Sequence, residues 1–146
     1  MKQARSEGNK VASLIKANKA EFYIADVDLE DDCEAVKLAA ETAIKTLGKQ
    51  KSAFMIISAG VKNITVYVYA PEELENKIDV STWLNTSIAD IQSGNKKHES
   101  DSMIVIEADT PFKLKDVVRS KGFSYLTENG FIKVESDEEF IGFDDL

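Results

Sequence analysis

One histidine and one cysteine bound the catalytic repertoire of this chain tightly. His98 stands in Asn95-Lys96-Lys97-His98-Glu99-Ser100, a run with no apolar residue to bury it. It has no acid obviously placed to orient an imidazole, so it reads as a solvated histidine in an exposed loop. A nucleophilic triad or a His-rich metal centre has little to build on. Cys33 falls at the start of a helix, which favours negative charge. Asp31, Asp32 and Glu34 crowd the same place, so the thiol reads as inert. A single cysteine forms no intrachain disulfide. Asp26, Asp28, Glu30, Asp31 and Asp32 resemble a cation loop by charge. They lack the glycine and the closing glutamate at EF-hand spacing, and a solvated helix start is the better reading. There is no GxGxxG, no P-loop and no CxxC. No metal and no cofactor are expected, and no catalytic residue is assigned.

What remains is binding chemistry. Lys96, Lys97 and His98 form a local basic knot just after Gly94, and Lys10, Lys16 and Lys19 sit in a basic N-terminal stretch. Both could touch phosphate, though on charge alone a solvated charged face is the better reading. The C-terminal run Phe140-Ile141-Gly142-Phe143-Asp144-Asp145-Leu146 sets large apolar residues in an acidic background. Phe140, Ile141, Phe143 and Leu146 are candidate anchors for a partner, or for packing on the chain's own domain. Trp83 is a possible stacking platform, but its spacing with Leu84 and Ile88 makes it core.

Composition sets the frame. A length of 146 residues with 43% apolar and 30% charged side chains suits one globular domain with a real core. No apolar stretch approaches the ~20 residues of a membrane span, and Met1-Lys2-Gln3-Ala4-Arg5 has no apolar core behind it to make a signal peptide. A reducing, cytoplasmic compartment and no membrane partner are expected. The net charge is −8. Residues 1–20 carry five Lys/Arg against one Glu, whereas 21–47 and 126–146 are strongly acidic. A broad nucleic-acid-binding face would be more basic, so any such contact is small, local and salt-sensitive.

These residues need elements to hold them. The organising stretch is Ala53-Phe54-Met55-Ile56-Ile57 and Ile64-Thr65-Val66-Tyr67-Val68-Tyr69-Ala70, joined by Gly60-Val61-Lys62-Asn63. This predicts a hairpin whose first strand is covered on both faces. Residues 2–17 predict a helix with a narrow apolar stripe of Val11, Leu14 and Ile15. Phe22–Ala25 predicts a strand. Asp31 or Asp32 caps a helix running to Leu47 with Gly48 beyond it. Glu72–Asp79 reads as an acidic loop. Ser81 caps a helix ending at Gly94, and Met103–Ile106 is a buried strand. Thr110-Pro111 opens a helix closed by Gly122, and Phe131–Val134 is a last short strand. The expected fold is α/β: a mixed sheet of four to five strands with a central hairpin and helices packed on it.

The order of elements and several strings resemble the C-terminal domain of alanyl-tRNA synthetase, C-Ala, in its eukaryotic cytosolic form. The likeness spans roughly residues 5–126. It is carried by the basic helix leading into Ala20–Asp26, the Ala-, Leu- and Lys-rich helix Glu34–Leu47, the hairpin from Ser52-Ala53-Phe54-Met55 through Ile64-Thr65-Val66, and Val80-Ser81-Thr82-Trp83-Leu84. Members commonly place a tryptophan at the start of that last helix. The resemblance implies a glycine-rich, lysine-ending loop after it, which in bacterial members approaches the tRNA elbow. The matching positions are Ser93-Gly94-Asn95-Lys96-Lys97-His98.

It further implies a non-catalytic accessory domain of a ligase whose aminoacylation and editing sites lie upstream. The division would be a basic helix at 1–20, the stub of a linker that helps the parent synthetase dimerise, then a globular domain at 21–126 and an acidic tail at 127–146. Two functional readings follow. Gly94, Lys96, Lys97 and His98, with Lys10, Lys16 and Lys19, contact tRNA(Ala) weakly. Alternatively, the acidic domain has left tRNA and serves as a structural, homodimerising or protein-interaction module.

Overall fold

A computed structural model describes residues 2–75, 77–91 and 94–132. The elements are α1 (Lys2–Asn18), β1 (Phe22–Asp26), α2 (Cys33–Leu47), β2 (Ala53–Ala59), β3 (Asn63–Tyr69), α3 (Glu72–Glu75), α4 (Val80–Ile88), β4 (Asn95–Ser100), β5 (Met103–Glu107) and α5 (Pro111–Glu128). The five strands form one mixed sheet in the order β1-β2-β3-β5-β4. β1 runs parallel to β2 and the other pairings are antiparallel. The fold class expected from the sequence is therefore the one found.

The hairpin is central because both its faces are apolar. Met55, Ile57, Ile64, Val66 and Val68 pack with Ile104 and Ile106 against Trp83, Leu84, Ile88, Val118 and Leu126 of α4 and α5. Phe54 and Ile56, on the opposite face, pack with Val36, Ala39, Ala40 and Ala43 of α2. Successive strand residues point to opposite sides, so a run without polar alternation requires both layers.

Several local details differ from the sequence reading. α1 packs on α2, with Ala4, Gly8, Val11, Ala12 and Ile15 buried along the contact. The stripe looked narrow because small residues widen it without adding hydropathy. At Gly8 a Cβ would run into the Ala39 carbonyl and lie 2.8 Å from Thr42 Cβ, so the absence of a side chain sets how closely the two helices approach. Asp32 caps α2, accepting the Ala35 N–H at 3.0 Å. Asp79, not Ser81, caps α4, accepting the Ser81 N–H at 3.0 Å. α4 ends at Ile88 rather than at Gly94. The acidic stretch 72–79 contains the short helix α3.

α5 runs through Gly122 to Glu128. At Gly122 the helix lies close over Ser87, Ile24 and Met55: an added Cβ would stand 3.1 Å from the Ser87 hydroxyl and 3.2 Å from Ile24 Cδ1, a tight fit. Phe131 and Ile132 are not strand. The Phe131 N–H instead closes back on the Leu126 carbonyl at 2.9 Å. Lys133 and Val134 lie outside the described residues.

Candidate nucleic-acid interface

The largest change from the sequence reading falls on the candidate site. Asn95–Ser100 is a strand, β4, paired with β5 along one side and exposed at every residue. Nothing in its sequence is apolar, so no periodicity reveals it. Its partner does: β5 is a buried strand whose second edge needs hydrogen-bond acceptors and donors. Gly94 makes the entry turn at φ 89°, where an added Cβ would collide with the Glu107 carbonyl. That glycine is explained by strand geometry before any ligand is considered.

Pairing fixes where each side chain of β4 points. Lys96 stands opposite Ile106 and His98 opposite Ile104, on the side of the sheet that carries α4 and α5. Lys97 stands opposite Val105 and so faces the other side. The Lys96 ammonium donates to the Ile88 carbonyl at 3.5 Å. A cation suits that place, at the carbonyl-rich end of α4. The Lys97 ammonium lies 3.5 Å from the Glu99 carboxylate, and both are exposed. The knot is thus two lysines on opposite faces of an edge strand, one turned to a helix end and one paired.

The other basic residues are elsewhere. Lys10, Lys16 and Lys19 belong to or follow α1, which packs on α2 and leads into β1. β1 and β4 are opposite edges of the sheet, separated by four strand spacings of about 4.8 Å each, or about 19 Å. Lys10 is also 3.6 Å from Glu7. The structure therefore does not merge the two basic groups into one patch. Phe140, Ile141, Phe143 and Leu146 lie outside the described residues.

The acidic run acquires structural work. The Asp31 carboxylate accepts backbone N–H bonds from Val61, Lys62 and Asn63 in the β2–β3 turn. Asp32 caps α2, and Asp26 pairs with Arg119 at 3.3 Å. No group of His, Cys, Asp and Glu able to hold a metal ion occurs among the described residues. Cys33 is a free, half-buried thiol at the start of α2. Trp83 is fully buried and is core, as its spacing indicates.

One feature was not legible at the level of motifs. β1, β2 and β5 run in the same direction, so their C-terminal ends meet at one end of the sheet with the N-terminus of α5. There a cleft of about 620 Å³ opens between the loop after β1, the β2–β3 turn and the start of α5. Val61 and Phe112 line it while 80% and 67% exposed, and the Lys115 ammonium lies 4.9 Å from the Phe112 ring centre. The signal in the sequence is two large apolar residues in polar loop contexts, which only the topology brings together.

Fold and site define an α/β domain built on a mixed five-stranded sheet, with helices on both faces and a basic, wholly exposed edge strand. No protein-family model matches the chain, and no curated protein matches it.

Proposed function

We propose that this chain is a non-catalytic accessory domain of the alanyl-tRNA synthetase type, whose β4 edge makes a small, salt-sensitive contact with the tRNA backbone. The observation that supports it most is the exposure of Lys96, Lys97 and His98 together on one edge strand, at the positions that match the family's tRNA-facing loop. An edge strand offers a row of outward backbone groups and alternating cations, which is enough for phosphate contact and too little for sequence readout. With the chain's net charge of −8 repelling the phosphates, affinity rests on a few ion contacts and falls steeply with salt.

The test is fluorescence anisotropy with alanine tRNA across a salt series. Wild type should bind at low salt, and Lys96→Ala with Lys97→Ala should lower the slope of log affinity against log salt by about two. No binding at roughly 50 mM salt, where electrostatic affinity is already generous, refutes this reading. A second reading draws on the same edge. Among the described residues β4 pairs with β5 alone, so its outer side would let the domain serve as a protein-interaction or dimerising module through strand addition. Its lysines count against it, because charged edges discourage such pairing. Sedimentation showing a dimer that Lys97→Pro disperses would favour it.

A further inference from the structure

We infer that the outer flank of α5 is a docking face for a second copy of this chain, the two helices lying antiparallel about a two-fold axis. The first observation is an uncovered stripe. Phe112, Asp116, Arg119 and Phe123 follow one another at spacings of four, three and four, so they share one side of the helix. All four are exposed, and the two rings are 67% and 46% accessible. The rings stand about 16 Å apart along the axis.

The second is where the stripe looks. Lys121 reaches Asp90, just past α4, at 2.8 Å, and Arg119 reaches Asp26, at the end of β1, at 3.3 Å. α5 therefore has α4 on one side and the β1 edge on the other, and the stripe lies on the β1 side. Among the described residues β1 pairs with β2 alone, so no further strand follows on that side.

The third is self-complementarity. Read along α5, the stripe is aromatic, anion, cation, aromatic. Positions 112 and 123 are equidistant from its midpoint, as are 116 and 119. A two-fold axis there sets Phe112 against Phe123 of the second copy and Asp116 against its Arg119, and makes each contact twice. A parallel pairing would oppose like charges instead. Arg119 gives only Nη1 to Asp26, and the rest of its donor fork suits a second carboxylate. Phe112 also borders the cleft lined by Val27, Val61 and Pro111, which gives the incoming ring an apolar seat. On the cleft walls Asp28, Glu30 and Asp109 outnumber Lys113 and Lys115. The incoming helix suits that excess: within four residues of Phe123 it carries Arg119 and Lys121 and no acid. One stripe buries less than the roughly 800 Å² per partner of a standard interface, so the dimer is of the weak, transient class.

Sedimentation velocity of the full chain from roughly 10 μM to 1 mM tests this. Wild type should move toward dimer as concentration rises, and less so in high salt. Phe112→Ser with Phe123→Ser should weaken association at least about tenfold; both side chains are exposed, so the fold stands. Disulfide trapping in a Cys33→Ser background reads the register. Phe112→Cys chains mixed with Phe123→Cys chains should link on oxidation, and neither should link efficiently alone. A monomer at every concentration overturns the proposal, as does a dimer that survives the double serine change. Phe112→Cys chains linking to one another as readily as to Phe123→Cys chains overturn it too. The inference is independent of tRNA binding and of strand addition, both of which read out at β4 on the opposite edge: Lys97→Pro should leave this dimer unchanged, and its loss would move the contact to β4 and refute the α5 face.

Discussion

The Asp31 carboxylate closes the β2–β3 turn by accepting the Asn63 backbone N–H at 2.8 Å. It takes the Lys62 and Val61 N–H groups as well, at 3.1 and 3.3 Å. One side chain thus anchors the central hairpin to the loop that precedes α2. Partial desolvation pushes its pKa up, but the three N–H donors, strongest from Asn63, and the charge of Lys62 outweigh that and hold it below the ordinary 3.8. Because the folded pKa is depressed, the stabilisation is fully present above 3.8 and drains away as pH falls through the lower folded value. Asp31→Asn should cost about 0.5–1.5 kcal/mol at neutral pH, because water screens the carboxylate and the amide keeps one acceptor oxygen. Urea denaturation at pH 7 and again below the carboxylate range checks this: the two proteins should converge in acid. A constant gap would mean that charge is not what holds the turn.

Gly8→Ala separates two opposing effects. The substitution raises intrinsic helix propensity by about 1 kcal/mol. It also places a methyl against the Ala39 carbonyl and Thr42 Cβ, in backbone and a stiff β-branched side chain that do not yield easily. The steric effect should win, with a lower thermal midpoint and faster amide exchange in α1. Gly48→Ala is the contrast: an added Cβ meets nothing, and the cost comes from a φ of 59° alone. A stabilised Gly8→Ala protein would show that α1 has room to shift on α2.

The parts of this fold that could be read from sequence are those whose residues decide their own environment. The hairpin and the α2 stripe of Val36, Ala39, Ala40, Ala43 and Leu47 bury apolar side chains in a pattern that only one secondary structure satisfies. β4 escaped because Asn95–Ser100 is a strand through the needs of β5, not through its own side chains. A glycine at 122 signals either the end of α5 or a close approach, and only the neighbours Ser87 and Ile24 tell which. Lys96, Lys97 and His98 are exposed, as a run without apolar residues implies, although on a strand and not in a loop. Their distance from Lys10, Lys16 and Lys19, which lie in or just after α1 beside the β1 edge, follows from strand order, which no local pattern encodes.

Lys96→Ala and Lys97→Ala should be nearly silent in stability. Lys97 loses an exposed pair with Glu99, which is worth little. Lys96 loses a long contact to the Ile88 carbonyl at the end of α4, worth about 0.3–1 kcal/mol. Thermal melts should therefore place Lys96→Ala slightly below Lys97→Ala and both close to wild type. This ordering makes the pair suitable for RNA titrations, since a change in salt slope would not reflect partial unfolding. A large loss for Lys96→Ala would instead make that residue a structural cap of α4.

Trp83 ties α4 to α5. Its ring is fully buried and its Nε1–H donates to the Gly122 carbonyl at 3.1 Å. The same turn of α4 places Ser87 beneath Gly122, with its hydroxyl donating to the Trp83 carbonyl at 2.7 Å. Trp83→Phe keeps an aromatic ring but removes the donor and leaves a void, so it should cost about 1–3 kcal/mol. Gly122→Val should cost at least as much, because its methyls would enter space held by Ser87 and Ile24. Circular dichroism in urea measures both. As the one tryptophan of the chain, Trp83 also reports unfolding directly: its emission should shift to longer wavelength in a single transition coincident with loss of helix. Two separate transitions would show that the α4–α5 layer melts apart from the α1–α2 layer, and the Trp83–Gly122 bond would then stabilise only its own side of the sheet.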